Sequence, residues 1–119
     1  MEKKIIDENE IMRIKQNQYA EKAREQICSF AKEDFCPIYK IHTISIFGKS
    51  LEVNIFFKTN KELSENNISG KTEEIKNKFI NILKELGYFL EFPDKIMFFF
   101  DSHENVKKKY KGNYFLRLR

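Results

Sequence analysis

Hydrophobic residues in the first third of the chain recur at the spacing of a helix. Four of them follow at intervals of four, four and three residues and so share one helical face. They are Tyr19, Ala23, Ile27 and Phe30. Asp7, with Glu10 three residues later, is a variant of the capping box that begins helices. The pattern predicts a helix from about Glu8 to about Lys32.

Two segments with alternating apolar and polar residues follow and predict a β-hairpin. The strands are 38–47 and 51–58, and Gly48-Lys49 is a two-residue loop with glycine first, as a type II′ turn requires. This loop fixes the register and gives the hairpin one apolar and one polar face. Ile41 and Phe56 then fall on the polar face. The apolar face is formed by His42, Ile44, Ile46, Leu51, Val53 and Ile55.

A polar stretch, 59–71, predicts a loop, and a second amphipathic helix follows it. Apolar residues recur there at i, i+4, i+7, i+8 and i+11, which predicts a helix over 72–86 with Gly87 as its C-terminal stop. The aromatic segment 88–92 predicts a short strand. The stripe of the helix is formed by Ile75, Phe79, Ile82, Leu83 and Leu86.

The most apolar run of the chain is Ile96–Phe100, with three consecutive phenylalanines. A strand that is covered on both faces does not need to alternate, so the run predicts the central strand of a sheet. Ser102 is a good N-cap for a short helix that ends near Gly112. The residues 114–119 alternate again and predict a closing strand.

Together these elements predict a single α+β domain over residues 1–119. The predicted order is α-β-β-α-β-β-(short α)-β. We expect a mainly antiparallel sheet of about five strands, with the two long helices on one face. The 11 residues between Ser102 and Tyr114 leave little room for a parallel crossover between the last two strands.

Composition narrows the class of protein. No stretch approaches the roughly 18 apolar residues of a membrane helix, and the first residues, MEKKIIDENE, lack the apolar core of a signal peptide. We therefore expect a cytoplasmic protein without a membrane partner. Two cysteines, Cys28 and Cys36, do not form a disulfide framework, and we expect both to be reduced.

Positive charge is concentrated at the C-terminal end. The net charge is +4, but residues 103–119 alone hold six Lys and Arg and one Glu, so the rest of the chain is almost neutral. This asymmetry is typical of a surface that meets an acidic partner, although a solvated lysine-rich helix has the same pattern. The candidate partner-binding residues are Lys107, Lys108, Lys109, Tyr110, Lys111, Arg117 and Arg119.

Residues with catalytic potential do not form a recognisable set. Asp101, Ser102 and His103 are consecutive, so their side chains cannot converge like a catalytic triad. Two cysteines and two distant histidines lack the spacing of a zinc site. The segment 69–72, Ser-Gly-Lys-Thr, resembles the end of a phosphate-binding loop, but Glu65 stands where that motif needs its first glycine. We expect no enzyme activity, no metal and no cofactor.

The chain resembles small bacterial immunity proteins, which neutralise toxins delivered between cells. The resemblance rests on about 120 residues, an opening helix, an aromatic-rich sheet and a Lys/Asn/Ile-rich composition. The segment FFFDSHENVKKKYKGNYFLRLR looks like the terminal strand-turn-strand of such proteins. It implies a non-enzymatic protein whose partner is a toxin domain.

Two other hypotheses follow from the residues. Aromatic and basic side chains alternate in 103–119, which suits a nucleic-acid-binding module for RNA or single strands. A structural subunit that dimerises through Ile41 and Phe56 on the polar hairpin face is the third hypothesis.

Overall fold

The computed structural model describes residues 8–33 and 38–118 of the chain. The elements are α1 (Glu8–Glu33), β1 (Ile38–Ile46), β2 (Ser50–Phe57), α2 (Asn60–Ile68), α3 (Lys71–Glu85), a turn of 3-10 helix (Tyr88–Leu90), β3 (Ile96–Ser102), α4 (His103–Tyr110) and α5 (Tyr114–Arg117). Predictions for Asp7, Cys36, Arg119 and the side chain of Phe30 lie outside the described part.

The fold class α+β is correct, but the predicted sheet of about five strands is wrong. The sheet in the described residues has three strands in the order β1-β2-β3. β1 and β2 pair antiparallel, whereas β2 and β3 pair parallel, so the sheet is mixed and the predicted mainly antiparallel sheet is also wrong. The central strand is β2, and the apolar run of β3 lies at an edge.

The two missing strands are helical. Tyr88 and Phe92 are four residues apart and both are buried. The Phe92 N–H donates to the Tyr88 C=O at 3.0 Å, as in a helical turn, and the two rings stack with centroids 4.9 Å apart. At the C-terminus, Lys111 and Gly112 both have positive φ, 53° and 79°, and reverse the chain. The Asn113 side chain then caps the Leu116 N–H at 3.1 Å and starts α5.

The predicted polar loop 59–71 contains a further helix. Thr59 and Glu62 form a complete capping box at the start of α2, with the Glu62 N–H donating to the Thr59 hydroxyl at 3.1 Å. The Thr-x-x-Glu signature was present in the sequence. The prediction of a loop rested on the polar composition of this stretch, and α2 buries none of its residues.

The hairpin turn lies one residue earlier than predicted. Phe47 and Gly48 both have positive φ, 55° and 68°, and the Lys49 N–H donates to the Ile46 C=O at 3.0 Å. Two central residues with positive φ form a type I′ turn, not the predicted type II′ turn. The loop between the strands has three residues, 47–49, instead of two, so the pairing slips by one residue and Ile46 lies opposite Ser50.

A slip of one residue exchanges the two faces of β1. Ile41, not His42, lies opposite Ile55 and is buried in the core. His42 lies opposite Asn54 on the other face, where Phe56 is also buried. The hypothesis of dimerisation through Ile41 and Phe56 is therefore wrong, because the chain itself covers both side chains.

One hydrophobic core joins α1 and α3 to one face of the sheet. The predicted helices over 8–32 and 72–86 are both present, within one residue at each end. Their buried stripes meet the inward side chains of the strands. The buried apolar residues of this core include Ala20, Ala23, Ile27, Ile41, Leu51, Val53, Ile55, Phe57, Ile75, Phe79, Ile82 and Leu83.

A buried polar connection crosses the same layer. Gln16 of α1 is fully buried, and its Nε2 donates to the Tyr88 hydroxyl at 2.8 Å, while the Ser45 hydroxyl donates to its Oε1. These bonds satisfy the buried amide and fix α1 against β1. Within the two described ranges, no helix has the length and apolarity that crossing a bilayer requires.

Candidate functional site

The face of the sheet that points away from α1 and α3 is only partly covered. Because side chains alternate along each strand, the register arranges this face in rows. The rows are Lys40, Phe56 and Asp101; His42, Asn54 and Phe99; Ile44, Glu52 and Met97; and Ile46 with Ser50. The first row lies beneath α5, and the rows beyond it are uncovered to different degrees. We call the residues Ile44, Ile46, Glu52, Met97 and Phe99 the open face.

Large apolar side chains of the open face reach solvent. Met97 is 41% exposed and Phe99 is 44% exposed, on adjacent rows of the edge strand β3. Ile44 and Ile46 are half-buried on β1, at the other side of the same face. Phe47, in the turn beside this end of the sheet, is 74% exposed with φ of 55°. A bulky aromatic residue with positive φ is an outlier and is typical of functional positions.

Polar side chains run down the middle of this face, on β2. Glu52 is half-buried between Ile44 and Met97, and Asn54 is only 2% exposed. The Asn54 Nδ2 lies 3.5 Å from the Glu52 Oε1, at the outer limit for a hydrogen bond. The open face therefore combines two apolar flanks with one central carboxylate.

The other end of this face is closed by Tyr114 of α5. Its ring lies edge-on against Phe56, with centroids 4.8 Å apart, and 5.2 Å from the His42 ring. The Lys40 Nζ lies over the Tyr114 ring at 4.5 Å. The Tyr114 hydroxyl and the His103 Nδ1 are joined by a hydrogen bond of 2.7 Å. Burial, with the nearby Tyr39 and Asp101 side chains, raises the pKa of Tyr114 to about 12, so its hydroxyl stays protonated.

A partly buried ion pair holds α5 from the other side. The Arg117 Nε donates to the Asp101 Oδ2 at 2.6 Å, and the guanidinium lies 5.8 Å from the Phe56 ring. Burial opposes ionisation of Asp101, but hydrogen bonds from Arg117, the Ser102 N–H and Asn105 outweigh it and hold the carboxyl pKa below its usual value. α5 is therefore clamped to the sheet by Tyr114 and Arg117.

The structure separates the predicted partner-binding residues. Arg117 is engaged by Asp101, and Arg119 lies outside the described part. Tyr110 is half-buried. The other predicted residues are exposed at the end of α4, and the Lys108 Nζ lies 3.5 Å from the Glu104 Oε2. These exposed residues are Lys107, Lys108, Lys109 and Lys111. Nothing in the structure ties these lysines to a ligand, so the nucleic-acid hypothesis stays a prediction.

The consecutive residues Asp101, Ser102 and His103 each serve a different structural contact. Asp101 binds Arg117, the Ser102 hydroxyl caps α4 by accepting from the Asn105 N–H at 3.0 Å, and His103 binds Tyr114. Among the residues described, no group of three or more His, Cys, Asp or Glu side chains is placed to hold a metal ion. The half-buried Cys28 is a free thiol.

The phosphate-loop resemblance at 69–72 has an ordinary structural explanation. Ser69 is the C-cap of α2, and Gly70, with φ of 84°, turns the chain directly into α3. The loop therefore joins two helices, whereas a phosphate-binding loop follows a buried strand.

His42 makes stability depend on pH in a direction that can be tested. Burial, and then the positive charges of Lys40 and Arg24, lower its pKa below the usual 6.5. The unfolded chain then binds the proton more readily. The stabilisation from neutral His42 should therefore be complete above about pH 6.5 and be lost as the pH is lowered through that value. Urea unfolding at pH 7.5 and pH 5.5 should show that the free energy of unfolding falls more between these two pH values in the native chain than in His42→Gln. Equal losses in the two proteins would show that His42 is not the cause.

Sequence reasoning missed the open face because it assigned β3 to the centre of the sheet. A central strand covered on both faces would bury Phe99, yet this residue is 44% exposed. The signal was present in the run Ile96–Phe100, which indicates two covered faces, but a sequence does not say whether the second cover belongs to the same chain. Comparison with protein-family models, with curated proteins and with solved structures finds no match for this chain.

Proposed function

We propose that this protein is a non-enzymatic protein-binding protein and that the open face is its binding surface. The observation that carries this proposal is the exposure of Met97 and Phe99 on adjacent rows of one sheet face. Contiguous apolar surface at a defined place on a small domain is typical of a protein-interaction site.

The pattern of β3 supports the same conclusion. A strand with one solvated face normally alternates, but Ile96–Phe100 is apolar at every position. The chain's own core covers the side of Ile96, Phe98 and Phe100. A partner that packs on Met97 and Phe99 would cover the second face of β3, as the apolar sequence of this strand predicts.

The narrower form of the proposal is that the partner is a toxin domain and the protein an immunity protein. The overall length, the opening helix and the aromatic-rich sheet support this resemblance. The C-terminal segment does not, because it forms a strand followed by two short helices where a strand-turn-strand was predicted. The open face supports protein binding whichever protein the partner is.

Charge substitutions on the open face test the proposal. Met97→Lys and Phe99→Lys should each weaken binding to the partner at least about 30-fold, because buried aromatic and methionine anchors at interface centres contribute about 2 kcal/mol or more. The first candidate partner is the product of the adjacent gene, tested by calorimetry with both purified proteins.

A matched control is available on the opposite side of the molecule. Leu90 is 91% exposed in the 3-10 turn that contacts α3, so Leu90→Lys should leave affinity unchanged. Circular dichroism should show that all three variants are folded. If Met97→Lys and Phe99→Lys bind the partner as tightly as the wild-type protein does, under conditions in which the wild-type protein saturates the partner, the open face is not the binding surface.

A further inference from the structure

A cleft lies between α1 and the free edge of β1. It is lined by Glu21 and Arg24 from α1 and by Lys40, Ile41, His42 and Thr43 from β1. β1 is the outer strand of the sheet, so only one of its edges is paired, with β2. Across the described ranges, no backbone hydrogen bond from outside the sheet reaches residues 40–45. The cleft therefore contains unpaired strand backbone.

Positive charge dominates this cleft. Arg24 forms an ion pair with Glu21 through the Arg24 Nε and Nη2. The other N–H donors of the guanidinium are left open. Lys40 has its Nζ over the Tyr114 ring, and no carboxylate in the described part of the chain pairs with it. The charges that act on His42 are those of Lys40 and Arg24. The field at β1 is therefore positive despite Glu21.

His42 adds a polar atom without a partner. Its Nε2 is buried and makes no hydrogen bond within the described residues, which is rare for a buried nitrogen. Its neighbours are the Tyr114 ring, the Phe56 ring and the two cations. None of these accepts a strong hydrogen bond or supplies a negative charge. An anion in the cleft would offset the charges of Lys40 and Arg24, which add to the effect of burial in lowering the pKa of His42.

We propose that the cleft binds an extended acidic peptide segment, which adds as a strand to β1 and places carboxylates beside Arg24 and Lys40. Unpaired strand backbone recognises another peptide strand, and cations at its two sides select acidic side chains. Neighbouring residues of an added strand point to opposite faces, so two consecutive acidic residues fit Arg24 on one side and Lys40 on the other. This site is separate from the open face and does not depend on it.

Nuclear magnetic resonance with two capped peptides tests the inference. The probe is Val-Thr-Glu-Glu-Thr-Val and its counterpart is Val-Thr-Gln-Gln-Thr-Val. The Glu-Glu probe should shift the amide resonances of residues 40–43 and raise the pKa of His42, since a nearby negative charge favours the imidazolium form. The Gln-Gln probe should bind at least about fivefold more weakly, because it lacks the charge-assisted contacts.

Single substitutions test whether the peptide binds in the cleft. Lys40→Gln and Arg24→Gln should each weaken the Glu-Glu probe about threefold to fivefold, and Lys40→Arg should retain binding. Lys49→Gln, at the exposed hairpin turn, is the matched charge control and should have no effect. The His42 resonance confirms in each case that the sheet is folded.

Two results would overturn the inference. If neither peptide moves the resonances of residues 40–43, the cleft is not a strand-addition site. If inorganic phosphate, at equal ionic strength, raises the pKa of His42 as much as the Glu-Glu probe does, the cleft is a general small-anion site and the peptide assignment is wrong.

Discussion

Phe57→Ala should destabilise the protein by about 3–5 kcal/mol, whereas Phe99→Ala should cost about 1 kcal/mol or less. Phe57 is fully buried on the central strand β2 and stacks on Phe100 with centroids 6.3 Å apart. Its removal leaves a cavity in the core. Phe99 lies on the open face, where water already reaches its ring.

Thermal unfolding measures the difference between these two variants directly. We expect Phe57→Ala to lower the melting temperature by more than about 10 °C and Phe99→Ala by only a few degrees. The two substitutions remove the same atoms, so they control for each other. A larger loss for Phe99→Ala would mean that β3, and not β2, is the central strand.

Tyr114→Ala should destabilise the protein by about 2–3 kcal/mol and release α5 from the sheet. The substitution removes the contacts with Phe56, His42 and His103 and exposes the Phe56 ring. Tyr114→Phe keeps the ring and loses only the hydrogen bond to His103. It should therefore cost about 1 kcal/mol.

Amide hydrogen exchange distinguishes release of α5 from general weakening. In Tyr114→Ala, the amides of Leu116 and Leu118 should exchange much faster, while those of β2 keep most of their protection. Uniformly faster exchange across α5 and β2 would show that α5 is an integral part of the fold and not a separately clamped helix.

The long helices could be predicted because their local and periodic signals agree. In α3, the apolar stripe, the acidic first turn and Gly87 at the C-terminus all point to the same element. The short helix α4 was also predicted correctly, because Ser102 caps it and Gly112 follows it.

The sheet could not be predicted because it depends on a single turn and on tertiary contacts. Phe47 adopts a positive φ that bulky residues rarely take, and this moves the hairpin register by one residue. At the C-terminus, the alternation in 114–119 fits a strand, but Asn113 caps a helical turn and Tyr114 and Arg117 bind the sheet. Such contacts override the alternating pattern of this short segment.

The candidate site was missed for a related reason. Sequence charge pointed to the lysines of α4, whereas the structure points to the open face and to the cleft beside β1. Arg24 and Lys40 are far apart in the sequence, and only the packing of α1 on β1 brings them to one cleft. Their convergence has no signature in a single sequence.

Site-specific photo-cross-linking in cells tests the central claim, that the open face binds a protein partner. A benzophenone side chain would replace Phe99 in one protein and Leu90 in another. We predict one defined protein adduct through position 99, its loss when Met97→Lys is added, and no such adduct through position 90. Equal cross-linking at both positions, or an adduct at position 99 that survives Met97→Lys, would contradict the account.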